Sequence, residues 1–135
     1  MTLATWNHEC TVGVRAMDDQ HGILMDTLNE LRLAVIRGQK IDEVAAIYDR
    51  FIEFTRMHFW SEEKLLEQRG YPYVSQHRDA HLKLLATMMQ QAHSVAHGER
   101  GRSQQILSLI RDEFMEHVEG QDQIYGIFLN NLGIY

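Results

Sequence analysis

Cysteine and proline are nearly missing from this chain of 135 residues, which holds one of each, Cys10 and Pro72. A lone cysteine cannot close an intramolecular disulfide, so a reducing, cytoplasmic setting is expected and the core must hold by other means. Scarcity of proline leaves long helices free of the ring clash and lost donor that proline imposes. Long apolar runs are absent too. No stretch approaches the roughly 20 residues that span a bilayer, and no charged-then-apolar leader with a small-residue cleavage site opens the chain. The net charge of −6 works against non-specific binding to nucleic acid or anionic lipid. Neither nucleic-acid binding nor membrane insertion is expected, and the length suits one domain over 1–135, acting as a monomer.

What is plentiful is histidine, with eight residues. Their context is helical. Gly38, then Gly70 and Pro72, then Gly98 and Gly101 divide the chain after an N-terminal arm at 1–17 that contains Trp6, Val12 and Val14. Helices are expected at about 18–37, 41–69, 73–97 and 103–120, with a terminal piece at about 121–131. Arg37 and Arg69 before glycines read as helix ends, and Asp18, Asp42 and Ser103 as capping or first-turn residues. Apolar residues recur at steps of three and four: Leu24, Leu28, Leu31 and Val35; then Val44, Ile47, Phe51 and Leu65; then Leu84, Met88 and Val95; then Leu107, Ile110 and Phe114. That period belongs to amphipathic helices rather than strands. Short connections favour antiparallel neighbours, so the expected fold is all-α, an up-down-up-down four-helix bundle. The seven methionines read as core filler, and the arm as a cover for one end.

The apolar stripes run into histidines. His21 precedes Leu24, His58 follows Phe51 by two turns, His81 precedes Leu84 and His117 follows Phe114. Glu62 lies four residues after His58, and His81 four after His77, a step of about 400° that keeps each pair on one face. His117 and Asp122 are five apart, about 140° out of register in a regular helix. Gly120 between them could permit a kink or a wider turn, and a bend or break is expected there. Any one of these pairs alone is weak, since lone core histidines are commonly hydrogen-bonded packing residues. Together they place five histidines and two carboxylates on inner faces, where unpaired polar groups each cost several kcal/mol, and metal coordination satisfies all seven.

Imidazole and carboxylate without thiolate suit iron, manganese or zinc. Seven ligands exceed what one ion holds. Two six-coordinate ions offer twelve positions, of which five imidazoles, two bridging carboxylates and one bridging oxygen fill eleven. One position stays open, which suits a small diatomic ligand.

The runs D-D-Q-H at 18–21, H-F-W-S-E at 58–62, H-R-D-A-H at 77–81 and H-V-E-G-Q-D at 117–122 together resemble the hemerythrin family over nearly the whole chain. The resemblance implies two irons with a bridging oxo or hydroxo group. His77, His81 and His117 would hold one, His21 and His58 the other, with Glu62 and Asp122 bridging. Molecular oxygen would bind end-on at the second, five-coordinate iron. The function implied is reversible oxygen binding for storage or delivery, without catalysis. The Glu-x-x-His pairs of carboxylate-rich diiron oxygenases are lacking, in keeping with that reading. The alternatives are a sensor of oxygen, nitric oxide or redox state, and an enzyme such as a weak peroxidase or an iron-handling repair protein.

Leu24, Phe59, Phe114 and Val118, adjacent to or one turn from His21, His58 and His117, are expected to wall the oxygen pocket. Tyr125 reads equally as a hydrogen-bond donor behind the ligands or as a packed aromatic. His8, His93 and His97 fit no ligand pattern, Cys10 reads as an ordinary thiol of the arm, and Asp112, Glu113, Glu116 and Glu119 as a solvated helix face.

Overall fold

A computed structural model describes residues 11–135; Trp6, His8 and Cys10 lie outside the described residues. The chain forms α1 (Arg15–Ile36), α2 (Ile41–Gln68), α3 (Val74–His97) and α4 (Arg100–His117), followed by a π-helical turn (Val118–Asp122) and α5 (Gln123–Asn131). Gly38 and Gly70 stand at φ of 68° and 72°, a conformation open to glycine at little cost. There the N–H of Gln39 reaches Ala34 O at 3.0 Å and that of Tyr71 reaches Leu66 O at 2.9 Å, so the last carbonyls of α1 and α2 are satisfied as the glycine punctuation predicts.

Two helix starts differ from expectation. Helix α1 opens at Arg15, and Asp18, inside its first turns, reaches back to accept the N–H groups of Val12 at 2.8 Å and Gly13 at 3.3 Å. Its charge also faces the positive end of the helix. Helix α4 opens at Arg100, so Gly101 lies inside it and Ser103 is not its cap. Ser103 is buried, and its hydroxyl donates to Val95 O at 2.9 Å, tying α4 to the end of α3. A hydroxyl suited to capping is also suited to any nearby carbonyl, and the local pattern does not distinguish the two.

Helix α1 packs on α2 and α4, and α3 on the same two, closing a four-helix ring. The core holds Leu24, Leu28, Leu31 and Val35 from α1, Val44 and Phe51 from α2, Met88 and Val95 from α3, and Leu107, Ile110 and Phe114 from α4. Ile47, Leu65 and Leu84 sit at its edge, half-buried; on α2 the buried position falls to Leu66, four residues beyond Glu62. Tyr48, also buried, donates its hydroxyl to Met88 O at 2.5 Å. Met17, Met25 and Met88 fill the core as expected, but Met57 and Met89 are exposed.

The described part of the arm, from Thr11, covers the end of the bundle that α5 forms. Val12 and Val14 are buried, and Asn130 Nδ2 donates to Gly13 O at 3.0 Å. The Val12 carbonyl occupies the space that a Cβ at Gly126 would need, so only glycine fits under the arm. Asp112, Glu116 and Glu119 are exposed and Glu113 half-buried, as a solvated face requires.

Candidate metal centre

All seven residues singled out by the stripes meet at the end of the bundle beneath α5. Helix α1 brings His21, α2 brings His58 and Glu62, α3 brings His77 and His81, α4 ends on His117, and the π turn ends on Asp122. Each is buried. The i, i+4 pairs share a face as the helical period demands. The pair five apart is served by widening the helix rather than by a bend or break at Gly120: the N–H of Gln123 bonds to Val118 O, five residues back. A turn of that width brings Asp122 Oδ1 within 3.0 Å of His117 Nε2. Gly120 itself is exposed, has no positive φ, and a Cβ there would meet nothing within 4 Å. The turn is thus not a consequence of glycine's freedom.

The donor atoms fall into two groups that share both carboxylates. One comprises His77, His81, His117, Glu62 and Asp122, the other His21, His58, Glu62 and Asp122, with the atoms of each group within 4.8 Å of one another. Each carboxylate turns one oxygen to each group. Glu62 Oε1 lies 2.6 Å from His77 Nε2 and 3.0 Å from His81 Nε2, while Oε2 lies 3.2 Å from His58 Nε2 and 3.6 Å from His21 Nε2. Asp122 Oδ1 lies 3.0 Å from the Nε2 atoms of His77 and His117, and Oδ2 lies 3.2 Å from His21 Nε2.

His77 Nε2 and Glu62 Oε1 bond each other at 2.6 Å, but most of the remaining donors are not satisfied in this way. Both oxygens of Asp122 and the Nε2 atoms of His58, His81 and His117 are buried without a hydrogen bond, although their neighbours are close. Buried polar atoms without partners are rare in folded proteins, and several in one cluster fit lone pairs aimed at shared cations. Without a cation, protons take that place. Burial alone would lower the pKa of His21 and His77, but the Asp122 and Glu62 carboxylates close beside them raise both to about 9. His81 is raised as well, against burial, by Glu62 and Glu63, whereas burial prevails at His58 and lowers it. Glu62 and Asp122, which burial would push up, are held below the ordinary carboxylate range by the surrounding imidazoles.

A further ring of contacts orients the imidazoles. Tyr125, fully buried, donates its hydroxyl to Glu62 Oε2 at 2.7 Å, so it is both packed and hydrogen-bonded. Two residues missed by sequence reasoning complete the ring: Gln20 Oε1 lies 2.7 Å from His58 Nδ1, and Glu63 Oε2 lies 2.8 Å from His81 Nδ1. Accepting from Nδ1–H leaves Nε2 as the lone-pair side facing the cluster. Glu63 does turn away from the Glu62 face, as its phase requires, and for that reason reaches the outer nitrogen of His81 on α3. In an antiparallel pair, residues equidistant from the connecting loop face one another, which is the signal that links 63 to 78 and 81.

Leu24, Phe59, Phe114 and Val118 are all buried but do not occupy one side. Phe114 stands edge-on to His21 with ring centroids 5.9 Å apart, whereas Phe59 stacks flat on His81 at 3.8 Å. Leu24 borders a recess of about 260 Å³ with Gln20, Ile23 and His58. His93 and His97 stack on each other at 4.1 Å, both exposed, apart from the cluster.

Residues 12–127 match the profile of the Hemerythrin HHE cation binding domain. The chain belongs to the hemerythrin family. It is 30% identical to a bacteriohemerythrin of Methylococcus capsulatus over 93% of this chain and 96% of that one, and 27% identical to a bacteriohemerythrin of Stenotrophomonas maltophilia over 93% and 80%. A crystal structure of wild-type hemerythrin superposes with a TM-score of 0.81 at 29% identity, over 93% of this chain and 96% of that one, and a Leu114Phe mutant crystal structure gives 0.83 at 30%, over 94% and 97%. The all-α bundle is therefore the family's fold, and the buried His, Glu and Asp cluster is set in a cation-binding domain. Among the described residues no helix of this hemerythrin is long and apolar enough to cross a membrane.

Proposed function

We propose that this hemerythrin binds molecular oxygen reversibly, for storage or delivery, at two irons held by the seven clustered residues. The observation that carries the reading is the division of donors: three imidazoles on one side, two on the other, and two carboxylates each turning an oxygen both ways. His77, His81 and His117 would hold one ion and His21 and His58 the other, with Glu62 and Asp122 bridging beside an oxo or hydroxo group. Bound there, a pair of ferrous ions would supply the electrons and the binding site that oxygen needs.

The chain's own residues do the rest. Gln20 and Glu63 fix the ring orientations of His58 and His81. Tyr125 holds Glu62, and its pKa is raised well above the ordinary phenol value by burial and by the Glu62 and Asp122 charges, so it keeps its proton. Phe114, edge-on to His21, and Leu24, bordering the recess that His58 lines, present apolar surface beside the two-histidine side, excluding the water and protons that would drain electrons from the centre. Phe59 stacks on His81 at 3.8 Å and lies 5.8 Å from His58, so it borders both groups. On this reading the chain binds oxygen rather than turning it over. A reducing compartment, expected from the single cysteine, would return any autoxidised iron to the ferrous state.

The test is anaerobic reconstitution with ferrous iron, followed by optical spectra through repeated cycles of oxygen and vacuum. Two irons per chain and a spectrum that returns with each cycle are expected. Permanent oxidation in the first cycle would overturn the carrier reading, and steady oxygen consumption with a reductant present would replace it with a catalytic one.

A further inference from the structure

The two sides of the cluster differ in what stands behind the imidazoles, and the differences all act in one direction. On the three-histidine side, His81 Nδ1 has a carboxylate as partner, Glu63 Oε2 at 2.8 Å. Glu63 is only partly exposed, and Arg78 lies 3.4 Å from its other oxygen while bonding Glu67 at 2.6 Å. On the two-histidine side, His58 Nδ1 meets a neutral amide, Gln20 Oε1 at 2.7 Å. There Tyr125 also donates to Glu62 Oε2, the oxygen that faces His58 and His21, while Oε1 faces His77 and His81.

A carboxylate accepting the outer N–H of an imidazole draws the proton outward and makes the inner nitrogen a stronger donor; an amide does so less. A hydroxyl donating to a carboxylate oxygen withdraws charge from it. From these contacts we infer that Glu63, Gln20 and Tyr125 polarise the centre: the ion at His77, His81 and His117 receives more electron density and the ion at His21 and His58 less. Glu63 and Gln20 act through the histidines and are positioning residues. The inference rests on the diiron reading. It assigns the first electron added to the oxidised pair to the His21 and His58 side and the second to the other side.

The experiment is a potentiometric titration of the iron-loaded protein from oxidised to fully reduced, with iron per chain measured on each sample. Glu63→Gln removes the negative charge behind His81 and is expected to raise the potential of the second step more than the first. Gln20→Glu places a charge behind His58 and is expected to lower the first step more than the second. Both changes narrow the separation between steps. Arg78→Gln leaves Glu63 less neutralised and moves the second step the opposite way from Glu63→Gln, which keeps the inference testable if Glu63→Gln does not hold iron. Potentials unchanged in variants with two irons, or Glu63→Gln acting mainly on the first step, overturn the inference while the diiron reading stands. A wild-type chain unable to hold two irons overturns the diiron reading itself.

Discussion

The two halves of the bundle are built on opposite principles. Toward the α1–α2 connection the core is apolar, with Leu31, Val35, Val44, Phe51, Val95 and Leu107 packed around two polar ties, Tyr48 to the Met88 carbonyl and Ser103 to the Val95 carbonyl. Beneath α5 the same four helices enclose five imidazoles and two carboxylates, capped by Tyr125 and the arm. Burial of apolar area stabilises the first half whatever the solution contains, at about 25 cal/mol per Å². The second half encloses groups that would favour water, and is stable only when charge, protons or cations match them. One half is a scaffold and the other a site whose stability is conditional.

Removing donors should break that contrast most strongly. His77 Nε2 touches both carboxylates, at 2.6 and 3.0 Å, so His77→Ala is expected to lose at least one of the two irons, measured as iron per chain. Glu62→Gln, at the residue shared by both donor groups, should likewise lose iron, while Glu63→Gln should retain both ions, because Glu63 reaches the cluster only at the outer nitrogen of His81.

Next in size are two cavity variants, one in each half. Phe114 and Leu107 are both fully buried on α4, so Phe114→Ala should cost about 3–5 kcal/mol and Leu107→Ala about 2–5 kcal/mol by denaturant unfolding. Only the Phe114 cavity borders His21. Autoxidation should therefore accelerate clearly in Phe114→Ala and stay near wild type in Leu107→Ala. Equal rates with iron intact would move the protective wall elsewhere.

A smaller effect is expected from pH, and its sign separates the metal-free from the loaded chain. Metal-free, His21 and His77 are raised from 6.5 to about 9, so the stability they contribute is full below pH 6.5 and is lost as pH rises through 9. Glu62 and Asp122, held low, contribute above the ordinary carboxylate range and lose that contribution in acid. Thermal unfolding of the chelated protein should weaken from pH 6.5 to 9. Iron must displace those histidine protons, so iron affinity should rise over the same interval. Parallel trends would mean that the histidines do not carry the protons assigned to them.

The smallest effect is predicted at Gly120. With no positive φ and open space for a Cβ, Gly120→Ala should keep two irons and change stability by about 1 kcal/mol or less, toward greater stability. Loss of iron in that variant would return to glycine the role in the wide turn that the structure gives to burial of Asp122.

How much of this was legible follows from the range over which each feature is determined. Helix period, glycine stops and the i, i+4 pairs His58 with Glu62 and His77 with His81 are local, because a helix repeats every 3.6 residues wherever it is placed. The sequence by itself therefore determined four helices and the seven clustered residues, and the five-residue spacing of His117 and Asp122 already demanded some departure from a regular helix. Whether the chain would break or widen there was a tertiary outcome: continuing α5 buries Tyr125 and Leu129 and closes the site, which a break would forgo. Ser103 as a tie to Val95, Leu66 in place of Leu65, and the contacts of Gln20 and Glu63 with imidazoles on other helices were also decided only by packing. Contacts between helices depend on their register and rotation relative to one another. No local period carries that information, so the donors could be read from the chain while the partners that orient them could not.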